Sequence, residues 1–256
     1  MRFLRQFLLC LVVVFSFAGF EAKAGDIPFF AQYPHFDLGM WAMSHGGELD
    51  KQSCEWRREN VEAKDGHVYL HLREKPRGKK PVGCAELKSR RLIADYGFYE
   101  ARMRTASGSG LNTAFFTYTG PPFGVPDHDE IDFEFLGKDP MQVEVNYHRK
   151  GRNMGPWKID LGFDASEAFH DYAFEWSPDK IKWFVDGKLV FETPDGADVP
   201  KHAGKLYFSL WANTRRLDAW MGPFQYQGPV TAEVEWVRYT PSEKYKAVRY
   251  PFSGQR

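Results

Sequence analysis

Short runs in which apolar and polar side chains alternate recur along most of the chain, separated by clusters of Gly, Pro, Asn and Asp. They cover residues 67–73, 97–104, 112–119, 130–136, 142–148, 171–176, 180–185, 188–192, 205–211 and 231–239. A period of two is the signature of a half-buried strand. Asp186-Gly187 separates two runs as a two-residue hairpin turn would. No sustained helical period, linker, repeat or low-complexity tract interrupts the series. The pattern predicts an all-β fold, an antiparallel β-sandwich or jelly roll. A single domain over 25–240 is expected, followed by a polar, basic tail over 241–256 that wraps the surface or is partly disordered.

The first residues follow a different pattern. Arg2 and Arg5 precede an apolar stretch from Phe7 to Phe20, broken only by Ser16 and Gly19, and Ala22-Lys23-Ala24 offers a small-x-small cleavage site. This is the layout of a secretory signal. The stretch is short for a membrane span, the rival reading. A cleaved leader over 1–24 implies a secreted or periplasmic protein with no membrane attachment afterwards, and it removes Cys10. Cys54 and Cys84 then remain. An even count in an exported chain favours one disulfide, worth roughly 3–4 kcal/mol in the chain-entropy model; two free buried thiols are the alternative. Two Cys without paired His do not make a zinc site.

Composition adds two constraints. The formal net charge is zero, which argues against a nucleic-acid partner. Aromatic residues make up 16% of the chain, which suits strand packing and sugar stacking alike.

The candidate chemistry lies in one run, His128-Asp129-Glu130-Ile131-Asp132-Phe133-Glu134-Phe135-Leu136-Gly137. On a strand Ile131, Phe133 and Phe135 face the core, so Glu130, Asp132 and Glu134 share the other face. Three like charges spaced roughly 6.6 Å apart repel one another. An ordinary solvated face would interleave Lys, Thr or Ser, and basic groups on neighbouring strands are the other way to relieve the repulsion. A functional pairing accounts for the cost. Glycosidic bond cleavage needs one protonated and one ionised carboxyl group, and adjacent carboxylates push their pKa values apart. The Cα atoms of Glu130 and Glu134 stand roughly 13 Å apart on a flat strand. Side chains leaning together on a concave strand close that gap towards the roughly 5–5.5 Å of a retaining enzyme.

At these residues the chain resembles glycoside hydrolase family sixteen, whose pattern is Glu-x-Asp-x-Glu on one strand of a concanavalin-like jelly roll. Phe115-Phe116-Thr117-Tyr118-Thr119-Gly120 and Phe135-Leu136-Gly137-Lys138-Asp139 are similar to bacterial lichenases. So are Gly162-Phe163-Asp164-Ala165-Ser166 and Ile181-Lys182-Trp183-Phe184-Val185-Asp186-Gly187. The resemblance covers roughly residues 30–239. It implies Glu130 as nucleophile, Glu134 as general acid/base and Asp132 as the group that tunes both. It places Glu86, Phe116, Asn146 and Trp211 at sugar-binding positions, and Cys54 and Cys84 where lichenases carry a disulfide. His128 stands where lichenases have Trp and plant xyloglucan transglycosylases have His. His148 replaces a Tyr and Lys88 an Arg. We therefore expect His128 and His148 also to touch the substrate, and expect that substrate to depart from the lichenase one. The overall picture is closer to rhizobial endoglycanases that trim succinoglycan. No cofactor is required. Family members often carry a structural calcium on an Asp near the last strand, where Glu235 stands here. The partner implied is a polysaccharide, handled by a monomer. A lectin-like binding module and a transglycosylase are the competing readings, and a lectin has no need of three stacked acids.

Overall fold

A computed structural model of the chain describes residues 29–32, 39–47, 50–74, 80, 82–91, 95–120 and 122–244. The expected leader and most of the expected tail lie outside the described residues. Seventeen strands are present among them. In chain order they are β1 (Phe29–Gln32), β2 (Trp41–Met43), β3 (Cys54–Trp56), β4 (Val61–Lys64), β5 (His67–Glu74) and β6 (Val82–Ser89). Next come β7 (Gly97–Arg104), β8 (Leu111–Tyr118), β9 (Glu130–Leu136), β10 (Gln142–Arg149), β11 (Arg152–Asn153) and β12 (Trp157–Asp160). The last are β13 (His170–Trp176), β14 (Ile181–Val185), β15 (Lys188–Glu192), β16 (Lys205–Ala212) and β17 (Val230–Pro241). One short helix, α1 (Asp218–Met221), follows β16.

The strands form the two layers of a jelly-roll sandwich. The cleft sheet runs β2-β6-β16-β8-β9-β10-β12. The back sheet runs β4-β5-β17-β7-β13-β14-β15, and β1 continues the line of β5 along β17. All of these pairings are antiparallel; the parallel pair β3–β6 stands apart from both sheets' main order. Alternation makes the layers. Ile131, Phe133 and Phe135 of β9 are fully buried. Phe133 faces Phe115 of β8 (ring centroids 6.3 Å), Phe115 stacks on Phe208 of β16 (5.1 Å), and Phe135 meets Tyr172 of the back sheet edge-on at 4.6 Å. Each such ring removed from water contributes roughly 1.5–3 kcal/mol before the cost of ordering it.

Every run predicted as a strand is one, with ends unchanged or moved by at most two residues. Asp186 (φ 47°) and Gly187 (φ 74°) both adopt left-handed backbone, which a two-residue hairpin between β14 and β15 requires. Pro241, expected to begin the tail, is the last residue of β17 and pairs with Gly97. Cys54 and Cys84 form the disulfide, with Cα atoms 5.6 Å apart, and tie β3 to β6. Glu235 does not fit a calcium ligand. Its Oε2 accepts from Arg102 Nε at 2.8 Å, and Arg102 Nη1 reaches Asp171 at 2.9 Å, so a guanidinium already supplies the positive charge there.

Candidate active site

β9 lies inside the cleft sheet, between β8 and β10, so its outward carboxylates are flanked on both sides. Antiparallel register puts paired residues on one face. Glu134 pairs with Ala114 and Glu144, Ala114 with Ser209, and Ser209 with Glu86. Glu86, Glu134 and Glu144 therefore share a row whose intervening members are small. The next row sets Asp132 between Phe116 and Asn146, and the third sets Glu130 between Tyr118 and His148. The small residues leave a floor low enough for a cleft of about 780 Å³ over all three rows.

The three carboxyl groups differ in surroundings. Glu130, 8% exposed, has His128 Nε2 2.5 Å from its Oε2. The Gly124 N–H donates to His128 Nδ1 at 3.3 Å, which leaves the ring proton on Nε2, pointing at Glu130. His148 stacks on His128 (4.7 Å) and sets its Nδ1 3.6 Å from Glu130 and 3.7 Å from Asp132. Burial holds the His148 pKa below its ordinary value. Burial, and then the charges of Glu130 and Glu134, push Asp132 well above the usual carboxylate range. The adjoining Glu130 carboxyl adds to that rise as a side-chain partner, and the Asp132 backbone carbonyl accepts from Trp183 Nε1 at 3.1 Å. Burial and the Glu130 charge push Glu134 up to about 8, against the opposing bond from Asn112 Nδ2 at 3.1 Å. Near neutral pH the strand thus presents a protonated Glu134 two rows from a Glu130 held by a fixed donor.

Glu86, Phe116, Asn146, His148 and Trp211 line the cleft with the triplet. Glu86 takes a 2.5 Å bond from Ser44 Oγ, and burial raises its pKa. The Asn146 Oδ1 accepts from Tyr147 N (2.9 Å) and Gly155 N (3.0 Å), which leaves its NH₂ for a ligand. Phe116 lies flat on Tyr207 at 4.9 Å. His128 departs from the expected sugar-contacting position. It is 1% exposed, sits behind Glu130 and does not line the cleft. The position is filled from within because Tyr118, Phe123 and His148 all pack on its ring.

Sequence reasoning missed Glu144, Trp56, Trp220 and Phe123, which also line the cleft. Glu144 accepts from Trp220 Nε1 at 2.7 Å. The alternation Glu144-x-Asn146-x-His148 was a usable signal, since it places Glu144 on the face of two expected site residues. Among the described residues, ligand atoms of His128, Glu130 and His148 lie within 4.8 Å of one another. They do not fit a metal. A ligating imidazole would turn a bare Nε2 to the ion and donate from Nδ1, whereas here the Gly124 N–H occupies Nδ1.

A family model described as glycosyl hydrolases family 16 matches residues 48–238. The endo-1,3-1,4-beta-glycanase ExoK of Rhizobium meliloti (strain 1021) is 40% identical, over 80% of this chain and 75% of its own length. A beta-glucanase of Bacillus subtilis (strain 168) is 37% identical, over 94% of this chain and 99% of its own. A solved prokaryotic beta-1,3-1,4-glucanase (lichenase) derived from a mouse hindgut metagenome superposes with a TM-score of 0.78 at 39% identity. That match covers 84% of this chain and 99% of the lichenase.

Proposed function

The chain belongs to glycosyl hydrolase family 16, and from that membership we propose a retaining endo-β-glycanase that cleaves β-1,3-1,4-linked glucan or a succinoglycan-type exopolysaccharide. The observation that carries this reading is the asymmetry within one strand. Glu134 keeps its proton up to about pH 8, while Glu130 is met by the Nε2–H of His128. In the first step a Glu130 oxygen bonds to the anomeric carbon. The bond from that carbon to the glycosidic oxygen breaks, and the Glu134 proton passes to the departing oxygen. Glu134, now ionised, takes a proton from water, whose oxygen displaces Glu130 and restores the starting anomer. Asp132, buried between them and held protonated by burial and by the Glu130 and Glu134 charges, adjusts the charge on Glu130 as bonding proceeds. His128 is a positioning residue for Glu130 in this scheme. Asn146, Glu86 and the aromatic walls hold the glycan.

The names of the relatives support the β-1,3-1,4-linked glucan class. The leader-like segment over 1–24 and the Cys54–Cys84 bond support export, since disulfides persist in oxidising compartments. No helix among the described residues is long and apolar enough to cross a membrane.

The test is release of reducing ends from lichenan, laminarin and succinoglycan, with anomers followed by NMR. The β-anomer should appear first, and Glu130→Gln should abolish release while oligosaccharide binding persists. Inversion at the new reducing end would refute the double displacement. With Glu134→Ala, added azide should restore turnover and yield a β-glycosyl azide; an α-azide would contradict the roles given to Glu130 and Glu134.

A further inference from the structure

A single exposed apolar side chain is ordinary on a protein surface and becomes informative where it also lines a binding cleft. Three are strongly exposed among the described residues: Leu189, Met141 and, most of all, Phe123 at 59%. Of these Phe123 alone lines the cleft. It sits on the loop between β8 and β9, and the ring is held in place rather than loose. Tyr118 lies nearly parallel behind it (5.3 Å, 11°), and the edge of His128 meets it at 5.1 Å and 83°.

The loop backbone is equally fixed. His128 N donates to Val125 O (3.0 Å), Gly124 N to His128 Nδ1 (3.3 Å) and Gly151 N to His128 O (2.8 Å). The turn after β10 presses on the loop so closely that a Cβ at Gly151 would stand 2.5 Å from Gly124 C and 2.6 Å from Val125 O. Tyr118 pairs with Glu130 in register, so the ring stacked on Tyr118 flanks the Glu130 row. A pyranose presents an apolar C–H face, and a pre-oriented aromatic ring with one side open is what such a face stacks on.

We propose that Phe123 is the sugar-stacking platform of a subsite on the Glu130 flank of the cleft, taking a neutral β-linked pyranose of the substrate. This rests on the glycanase reading. It adds a coupling to that reading, because the residue after Phe123 holds His128, and His128 holds Glu130.

The experiment is calorimetric titration of β-1,3-1,4-gluco-oligosaccharides into the Glu134→Gln protein, alone and combined with Phe123→Ala, Phe123→Leu or Phe123→Trp. Ring stacking of this kind predicts a Kd raised about 3- to 10-fold by Ala and by Leu and restored by Trp. Melting temperatures should be nearly unchanged, because the ring is exposed. An unchanged Kd in Phe123→Ala would overturn the subsite, as would Leu binding as well as Phe. Reducing-end release by the unsubstituted protein is scored in parallel. Release with unaltered Phe123→Ala binding sinks the subsite alone. No release together with no oligosaccharide binding sinks both the subsite and the glycanase reading.

Discussion

A carboxyl group whose pKa rises from 4.5 to about 8 on folding, through burial and the nearby Glu130 charge, binds its proton more tightly in the native chain than in the unfolded one. Stability therefore falls as pH climbs from about 4.5 through 8, because the native state resists a deprotonation that the unfolded state accepts. Replacing Glu134 by neutral Gln removes that penalty and keeps an oxygen for Asn112 to donate to. Glu134→Gln should match the unsubstituted protein below pH 4.5 and exceed it by an amount of order 5 kcal/mol above pH 8. Denaturant melts across this range check it, and a gain that does not grow with pH would refute the raised pKa. With Glu134 as the acid, the same proton sets the alkaline limb of kcat/KM near pH 8. His128 acts on the other carboxylate. A hydrogen bond to a charged group is worth roughly 1.5–3 kcal/mol. His128→Phe keeps the ring contacts with Tyr118, Phe123 and His148 and deletes the donor, so kcat should drop about 10- to 100-fold with little change in KM. A rise in KM alone would instead mean that His128 touches sugar.

At the level of elements, the strand that shapes one wall of the cleft is also the one the alternation pattern did not reveal. β6 reads Val82-Gly83-Cys84-Ala85-Glu86-Leu87-Lys88-Ser89, and its first four residues are all buried. Its edges pair with β3 and β5 at one end and with β16 and β2 at the other, and Arg57 and Asn60 press on Gly83, so its opening residues are buried on both faces where a period of two would otherwise show. β2, β3 and β4 escaped for a simpler reason, having three or four residues each. By contrast β9, with one apolar and one acidic face, was legible residue by residue, and so was the triplet it carries. Glu144 belonged to a predicted strand, but its place beside Glu134 depends on register, which the sequence pattern leaves open. Phe123 stands in a loop between Pro and Gly, where no periodicity applies. The disulfide compensates for the weak local signal of β6, pinning it to β3 two residues before Glu86. Reduction should cost about 3 kcal/mol and lower the melting temperature. Below the melt, KM should rise more than kcat falls, since Glu86 belongs to the sugar-binding wall and not to the reacting pair. A melting curve indifferent to reductant, with both thiols titratable beforehand, would contradict the bridge.

For the molecule as a whole, charge is balanced in sum and segregated in place. The formal net charge is zero, yet the cleft collects Asp50, Glu86, Glu130, Asp132, Glu134 and Glu144 against Lys51. Lys158 reaches Glu144 only at 3.7 Å and from an exposed position, and Lys88 stands 3.8 Å from Glu86. Some of the excess is silenced because Glu134 and Asp132 have strongly raised pKa values, but what remains is negative. A glycan entering this cleft meets hydrogen-bond acceptors and aromatic faces, which suits hydroxyl groups and opposes carboxylates. Neutral chains should therefore be cut faster than chains carrying acidic substituents on the sugars that occupy the cleft. With zero net charge there is little long-range field to steer or repel, so the discrimination is local and fades within about 8–10 Å at ordinary salt. Carboxymethylated β-glucan should show a kcat/KM several-fold below that of the neutral polymer at low ionic strength. Added salt should narrow the gap, and Glu144→Gln, whose amide oxygen still accepts from Trp220, should narrow it further. Equal rates on the two polymers at low salt would show that the acidic wall is neutralised by its own protons before the substrate arrives.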